Sequence, residues 1–373
     1  MKLTLPVLLL FLSSDVLSTT YYALGSENET LGRGFSTSLS MPLSNCLTGE
    51  RLFHGGNKGE LIYHQSMESN ELMSSMTGSV KGGVNLVLFG GSAKFSMRKK
   101  VTENTNSVSS VLQLGYVHGT HSFENRQLND VAKGELQSQP GAIENICGDG
   151  FISSITTGSN LYVTAKLYFR DKSEYEWFQT KIKIRVLFFS KTITKTKEFS
   201  NAIKNAVYSV QIHTDGGLTP YLNTLGTERF CRGTDVTACI DYAETLFKYL
   251  LDGGDYRNDI QPELLKTIKY TVEPYENSGH MQLIPPPASN MPEAYIAISG
   301  RLRGYQDLVN DELERLKAFI AVATESELAS LQNEYDLRQT EVSTLNAASD
   351  YCAGLPGVTL CEQQVERAIS EVH

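Results

Sequence analysis

The chain has 373 residues, 40% of them hydrophobic and 20% charged, which is enough apolar content for one large or two ordinary globular domains. Its 33 Lys and Arg residues against 42 Asp and Glu residues give a formal net charge of -9, so a uniformly basic surface is excluded and no nucleic-acid partner is expected. Beyond the N-terminus, no uncharged apolar run is long enough to cross a bilayer as a helix.

The N-terminus has the three parts of a secretory signal peptide. Lys2 supplies a positive charge, residues 5–12 form an apolar run, and small residues follow as far as Ser18. We therefore predict a signal peptide at residues 1–18 and secretion of the mature chain, the alternative being a short buried N-terminal helix. If the source is a eukaryote, Asn28 in the triplet Asn-Glu-Thr is a glycosylation acceptor.

Two Ser- and Thr-rich stretches alternate apolar and polar residues as β-strands do. The first occupies residues 79–94, contains several glycines, and returns through residues 108–115. The second alternates charged and apolar residues from Lys181 to Val186 and continues in a similar register at residues 192–197. A strand of a membrane-spanning barrel needs about 9 to 11 residues, with alternate side chains toward lipid. Each stretch has the length for two such strands, although an ordinary antiparallel sheet with one solvated face has the same pattern.

A Pro-rich segment separates this β-rich part from a helical C-terminal region. Three consecutive prolines begin residues 285–292 and fit neither a helix nor a central strand, so we predict a linker there. In residues 293–373, leucines recur at three- and four-residue steps, which predicts one long or broken amphipathic helix. We expect this helix to pack against its own domain; the alternative is a coiled-coil contact to a partner.

Six cysteines follow the signal segment, namely Cys46, Cys147, Cys231, Cys239, Cys352 and Cys361. None forms a C-x-x-C pair or lies beside clustered histidines, so disulfides are a better interpretation than zinc ligands. Six cysteines allow 15 connectivities. Proximity in sequence favours Cys231 with Cys239 and Cys352 with Cys361, and these two pairs leave Cys46 for Cys147.

The sequence has no motif of a common catalytic site. A G-x-S-x-G nucleophile elbow, a Walker loop and a zinc-protease helix are all absent from it. His118 and His121 are three residues apart, but no carboxylate at metal-ligand spacing accompanies them. We therefore predict that the chain is not an enzyme and has neither a metal site nor a cofactor.

Two short motifs have a counterpart in a known family. One is the Gly-rich segment at residues 31–35, and the other comprises Gly148, Phe151 and Gly158 at the entry to a predicted strand. These motifs and the order of segments over residues 31–300 resemble the membrane attack complex/perforin and cholesterol-dependent cytolysin superfamily. The Tyr, Thr, His and second Gly of the family's strand-entry motif are missing, so the chain is identified as a divergent member.

The resemblance implies an α+β fold at residues 19–284, built on a bent, twisted antiparallel sheet of four strands. Two amphipathic clusters are inserted in that sheet, one between the first two strands and one between the last two. The strands that the chain supplies lie near residues 59–67, 108–119, 161–169 and 206–213, and the inserts near residues 71–107 and 171–204. The helical C-terminal region follows.

The resemblance also implies a function: a secreted pore-forming protein that forms homo-oligomers on a target-cell membrane and inserts two β-hairpins per subunit as a β-barrel. The acidic net charge disfavours simple attraction to anionic lipid, so we expect a glycan or protein receptor. The alternative is a secreted adhesion or binding protein that keeps the fold and is not lytic.

Specific residues follow from the resemblance together with the alternation. The membrane-inserting residues are expected to be Val84, Leu86, Leu88, Ile182, Ile184, Val186 and Phe188. The residues expected to face the pore lumen are Lys181, Lys183 and Arg185. The expected hinge residues are Gly158, Gly216 and Gly217, because glycine adopts positive φ at little cost.

Overall fold

The computed structural model describes residues 18–23, 30–37, 41–65, 106–138, 143–181, 197–251, 254–280, 283, 293–354 and 356–372. The predicted signal peptide apart from its last residue, Asn28 and the Pro-rich linker lie outside the described residues. The described chain has the predicted α+β class, with an antiparallel sheet followed by C-terminal helices.

Four long strands form the centre of the sheet in the predicted order. They are β4 (Leu47–Gln65), β5 (Ser107–Leu128), β6 (Gly150–Tyr168) and β7 (Val207–Asp215), and each is antiparallel to the next. β4 begins at Leu47, well before the expected start near residue 59. Among the described residues the sheet has nine strands rather than four, because shorter strands extend it.

The shorter strands add to both parts of the sheet. β8 (Glu228–Arg232) pairs with β7, and β9 (Lys266–Pro274) pairs with the first half of β6. The N-terminal strands are β1 (Thr19–Tyr22), β2 (Arg33–Ser36) and β3 (Met41–Asn45). β1 pairs with β9, while β2 pairs with both β3 and β6.

Helices connect and flank the strands. Those of the described chain are α1 (Asp130–Ser138), α2 (Ile143–Cys147), α3 (Lys172–Lys181), α4 (Lys197–Ile203), α5 (Pro220–Leu225), α6 (Thr237–Leu250), α7 (Tyr256–Asp259), α8 (Glu293–Ala321), α9 (Glu325–Ala353) and α10 (Val358–Ser370). Short 3₁₀ turns occur at Pro262–Leu264 and Tyr275–Ser278. No helix in the part of the chain that the structure describes is long and apolar enough to span a membrane.

The largest hydrophobic core lies on one face of β5, β6 and β7. Alternate residues of β6, such as Leu161, Val163 and Leu167, point into it because side chains of a strand alternate between faces. α6 covers this face with apolar residues at helical spacing, including Ile240 and Leu246. The sheet is therefore held by α6 on one side, which leaves its other face to the C-terminal helices.

The C-terminal region forms three helices with a core of their own, instead of one long or broken helix. Leu302 and Val309 of α8 pack with Leu345 of α9 and Val365 of α10. The turn between α8 and α9 ends in a capping box, in which the backbone N–H of Thr324 donates to the Glu327 carboxylate and the backbone N–H of Glu327 donates to the Thr324 side chain. Leu302 and Leu345 of the leucine-rich stripe thus pack within this chain, whereas Leu308 and Leu328 are 58% and 43% exposed.

Three disulfides pair all six cysteines. They join Cys46 to Cys147, Cys231 to Cys239, and Cys352 to Cys361, which are the pairs that sequence proximity favours. The first links the start of β4 to α2, the second β8 to α6, and the third α9 to α10. Each therefore fixes a junction between elements rather than the centre of the sheet.

Candidate membrane-inserting site

Both inserts leave the sheet at the same end. Gln65 at the end of β4 lies opposite Leu112, and Tyr168 at the end of β6 lies opposite both Ser107 and Val207. The connections at residues 66–106 and 169–206 therefore start and finish at one end of two neighbouring strand pairs. Extension of the four strands at this end would give one continuous four-stranded ribbon.

The described parts of the second insert are helical and fold onto the apolar face of the sheet. Phe178 of α3 lies 5.0 Å from Phe169 and 6.5 Å from Phe199 of α4, measured between ring centroids. All three rings belong to the large core. This packing buries the base of the insert, so its conversion to strand would require these aromatic contacts to be given up.

The structure places Lys181, a predicted pore-lumen residue, at the last position of α3. The alternation of residues predicts a strand from this residue onward; in this structure Lys181 ends a helix, and its place in the pore lumen stays a prediction. The physical reason is local: residues 172–180 have few β-branched side chains, and Lys172 and Glu176 form an i,i+4 ion pair at 3.6 Å, which favours a helix.

The other predicted residues of both inserts lie outside the described residues. They are Val84, Leu86, Leu88, Ile182, Lys183, Ile184, Arg185, Val186 and Phe188. Their assignment to lipid or lumen therefore stays a prediction from the sequence.

The three predicted hinge glycines meet at one level of the sheet. Gly158 lies in β6 opposite Val117 and Lys266, and Gly216 and Gly217 follow β7 with φ of 78° and 74°. A Cβ at Gly216 would lie 3.1 Å from the carbonyl oxygen of Gly158, and one at Gly217 would lie 2.6 Å from the Cβ of Ser159. Side chains are thus excluded there by backbone conformation and by space, which fits a bend but leaves the hinge role a prediction.

At the same level of the sheet, the strand pairing is irregular on β4 and β5. The register shifts between Gly55 and Glu60 on β4, and between Val117 and Gly119 on β5. A Cβ at Gly119 would lie 2.9 Å from the carbonyl oxygen of His54. Gly55 and Gly119 are not among the hinge residues predicted from the sequence, although an isolated glycine within a strand pattern is a known signal of a bulge or a close backbone approach.

An exposed aromatic cluster lies beside this level. The Phe53 ring is 5.5 Å from that of His118 and 4.8 Å from that of His121 between centroids. The pKa of His121 is lowered by its partial burial, then by the charge of Arg51, and last by His118. Each of these disfavours the charged imidazolium. No group of three or more metal-ligating side chains forms among the described residues.

Comparisons with known proteins give structural similarities only. No family model and no curated protein matches the sequence. The chain is similar to the structure of stonustoxin, with a TM-score of 0.35 and 15% identity over 94% of this chain and 44% of that one.

Two bacterial structures give similar values. A putative cell invasion protein with a MAC/Perforin domain from Bacteroides thetaiotaomicron has a TM-score of 0.31 and 14% identity, covering 78% of this chain and 63% of that one. The cytotoxin suilysin from Streptococcus suis has a TM-score of 0.26 and 14% identity, covering 61% and 42%. The chain spans less than two thirds of each of the three proteins. These similarities are of the type that the sequence resemblance predicts, but with TM-scores below 0.5 they carry no weight of their own.

Proposed function

We propose that the chain is a secreted pore-forming protein that assembles into a ring on a target membrane and inserts two β-hairpins per subunit. The observation that carries this proposal is the common exit of both inserts from one end of four consecutive antiparallel strands. In that arrangement, each insert can add two strands to existing ones without any change in strand order. Because both inserts leave the sheet at the same end, the extended strands of neighbouring subunits can lie side by side.

The length of the inserts is sufficient for this role. Each connection has about 40 residues, and two barrel strands of about 9 to 11 residues with a turn need roughly 25. Lipid offers no hydrogen-bond partners, so the new strands must pair with one another and close into a ring. A homo-oligomer on the membrane therefore follows from the proposed mechanism.

The phase of the alternation specifies how the second hairpin continues from β6. Odd-numbered residues of β6 such as Leu161 and Val163 lie on its apolar face, whereas the four residues of the second insert that are expected to face lipid, between Ile182 and Phe188, are even-numbered. One extra residue, as in a β-bulge, reverses the alternation beyond it. We therefore propose a single bulge between Tyr168 and Lys181 in the inserted state.

Ile182, Ile184, Val186 and Phe188 would then face lipid, and Lys181, Lys183 and Arg185 the lumen. In the first insert, Val84, Leu86 and Leu88 take the lipid-facing role. The net charge of -9 does not favour anionic lipid, so a glycan or protein receptor on the target cell would bring the protein to the membrane.

The test is leakage together with imaging. Mature protein is added to dye-loaded erythrocyte ghosts, which carry glycans and proteins, and to dye-loaded vesicles of phosphatidylcholine alone. Dye release from the ghosts with ring-shaped particles in electron micrographs is the expected result. Binding to ghosts with neither leakage nor rings would reject pore formation and favour the non-lytic adhesion protein.

A further inference from the structure

The second face of the central sheet is polar and yet fully covered. Thr164 and Lys166 on β6 and Ser209 on β7 have no exposed surface, and Gln211 is 2% exposed. Polar side chains on a sheet face normally contact water, because burial removes their hydration. Something in the chain must therefore cover this face in the soluble state.

At the end of the β6–β7 ladder the cover is the C-terminal end of α8. Ala318 of α8 is fully buried against Tyr168 and Val207, the last pair of that ladder. The charges of Glu314 and Asp311 act on the Tyr168 hydroxyl and, after burial itself, raise its pKa. The ammonium group of Lys166 lies 5.6 Å from the Tyr168 ring centroid, so a buried cation lies next to the residue that α8 covers.

Ion pairs join the α8–α9 turn to the strands. Lys317 bonds Glu228 of β8 at 2.8 Å, and Glu327 of α9 lies 3.4 Å from Arg232 of β8. Glu327 also lies 3.8 Å from Arg170, at the point where β6 ends and the second insert begins. Strand β8 and the start of the second insert are thus both tied to the α8–α9 turn.

One further hydrogen bond involves the residue just beyond β6, the strand that must lengthen on insertion. Arg315 of α8 donates to the carbonyl oxygen of Arg170 at 3.1 Å. If β6 extended beyond Tyr168, that carbonyl would belong to the lengthened strand and its pairing. The contact therefore holds the first residues of the insert out of the ladder.

The contacts are of a kind that can open. Their ion pairs are partly exposed, with side-chain exposures of 41% to 46% in the Lys317 and Arg232 pairs, and exposed pairs contribute little each. The hydrophobic surface that opening would uncover is small, because the buried cluster under the clasp consists of Tyr168, Val207 and Ala318. By contrast, α8, α9 and α10 share their own buried core and a disulfide, so they can leave the sheet as one folded unit.

We propose that the α8–α9 turn is an inhibitory clasp, defined by Arg315, Lys317, Ala318 and Glu327, which must lift from β6 and β8 before the second insert can extend. The part of this inference that concerns control of insertion rests on the proposed function. The existence of an opening motion does not depend on that function and is measured separately.

Opening is measured by the reactivity of a buried thiol in the soluble protein. Ala318→Cys places a thiol under the clasp, and Ala348→Cys places one in the core of the helical region; both positions are fully buried. All native cysteines are in disulfides, so a thiol reagent reports only the introduced residue. We expect Cys at 318 to be labelled at least about tenfold faster than Cys at 348, since only the first needs clasp opening.

A charge variant tests whether the ion pairs hold the clasp. Glu327→Gln keeps an amide oxygen for the capping box and removes both ion pairs, so it should speed labelling of Ala318→Cys several-fold. Glu366→Gln, which breaks an ion pair with Arg301 inside the helical region, is the matched control and should leave the rate unchanged. Equal labelling of positions 318 and 348 would mean that only global unfolding exposes the clasp, and would overturn the proposal.

Control of insertion is measured with a cross-link. Glu228→Cys/Lys317→Cys protein is either joined by a short bis-maleimide or capped at both thiols with N-ethylmaleimide. We expect the capped protein to lyse ghosts and the cross-linked protein to release dye at least about tenfold more slowly. The cross-link removes the fraction of molecules whose clasp is open, and only those molecules can insert. Equal release from both would overturn the inhibitory role. If even the wild-type protein releases no dye, the proposed function fails, and the thiol rates alone decide whether the clasp opens.

Discussion

Gly217 shows how a single position combines backbone and packing constraints. Its φ is 74°, and a Cβ there would lie 2.5 Å from the Tyr256 hydroxyl oxygen. A non-glycine residue at positive φ costs about 1 to 2 kcal/mol, and overpacking adds about 1 to 3 kcal/mol. We expect Gly217→Ala to lower the free energy of unfolding by the sum of both, as measured by urea denaturation.

Gly279 is the matched control for that substitution. Its φ is 80°, in the left-handed region, and no atom lies within 4 Å of an added Cβ. Gly279→Ala should therefore lose only the backbone part, about 1 to 2 kcal/mol. Equal losses in the two variants would show that crowding around Gly217 is not a constraint.

Glu327 makes the clasp sensitive to acid. Hydrogen bonds from Thr324, and then the Arg232 guanidinium, lower the pKa of Glu327 from 4.5 to about 2. Because the folded pKa is depressed, the stabilisation is fully present above the unfolded value of 4.5 and is lost as the pH falls toward about 2. The difference in Tm between wild type and Glu327→Gln should therefore be largest near about pH 7 and shrink near about pH 3. A difference that is constant with pH would contradict this assignment.

The contacts of Glu327 could not be predicted from the sequence. Its partner Arg232 is 95 residues away, and a Glu near the start of a helix predicts only a local capping box. The positive φ at Gly216 and Gly217 could be predicted, because two consecutive glycines after a strand are typical of a turn that only glycine adopts at little cost. Residue-scale prediction thus succeeded where the cause is local backbone geometry and failed where it is tertiary contact.

Among the elements, strands were predictable where one face is apolar. β5 and β7 contain the expected strands, since their alternate residues enter the main core. The first half of β4 was missed because residues 48–55 are exposed and carry no apolar alternation. The end of helix α3 at Lys181 was not predicted. The alternating sequence that begins there is compatible with a helix in the soluble state and with a strand in the proposed inserted state.

The second insert gives a prediction at this scale. Ile184→Lys would put a charge on the lipid face of a barrel strand, at a cost of about 2 to 4 kcal/mol per subunit near the midplane. We expect the variant to remain folded and to lose dye release from ghosts. Lys183→Gln, on the lumen face, should keep release and change only the ion preference of the pore.

Circular dichroism and thermal melting establish that both variants are folded before leakage is compared. Full lysis by a folded Ile184→Lys protein would remove this strand from the lipid face. Loss of lysis by both variants alike would point to a role of residues 183–184 in the soluble fold.

In the whole molecule, the disulfides differ in how much chain they close. The link from Cys46 to Cys147 closes a loop with a sequence separation of 101, whereas Cys231 and Cys239 are separated by 8. Loop-closure entropy predicts a loss of about 4.7 kcal/mol when the first is replaced by two serines and about 2.5 kcal/mol for the second. Urea unfolding of the two double-serine variants checks this order, and a larger loss from the short loop would contradict it.

Residues 181–188 are expected to become a barrel strand in the membrane. Single cysteines at these positions, labelled with the environment-sensitive dye NBD, report lipid or water around each residue on lysed ghosts. Two-residue periodicity is the predicted result, because barrel strands alternate between lipid and lumen. High NBD emission is expected at 182, 184, 186 and 188, and low emission at 181, 183 and 185. Emission that stays low throughout, or that recurs every three to four residues as in a helix, would contradict the account.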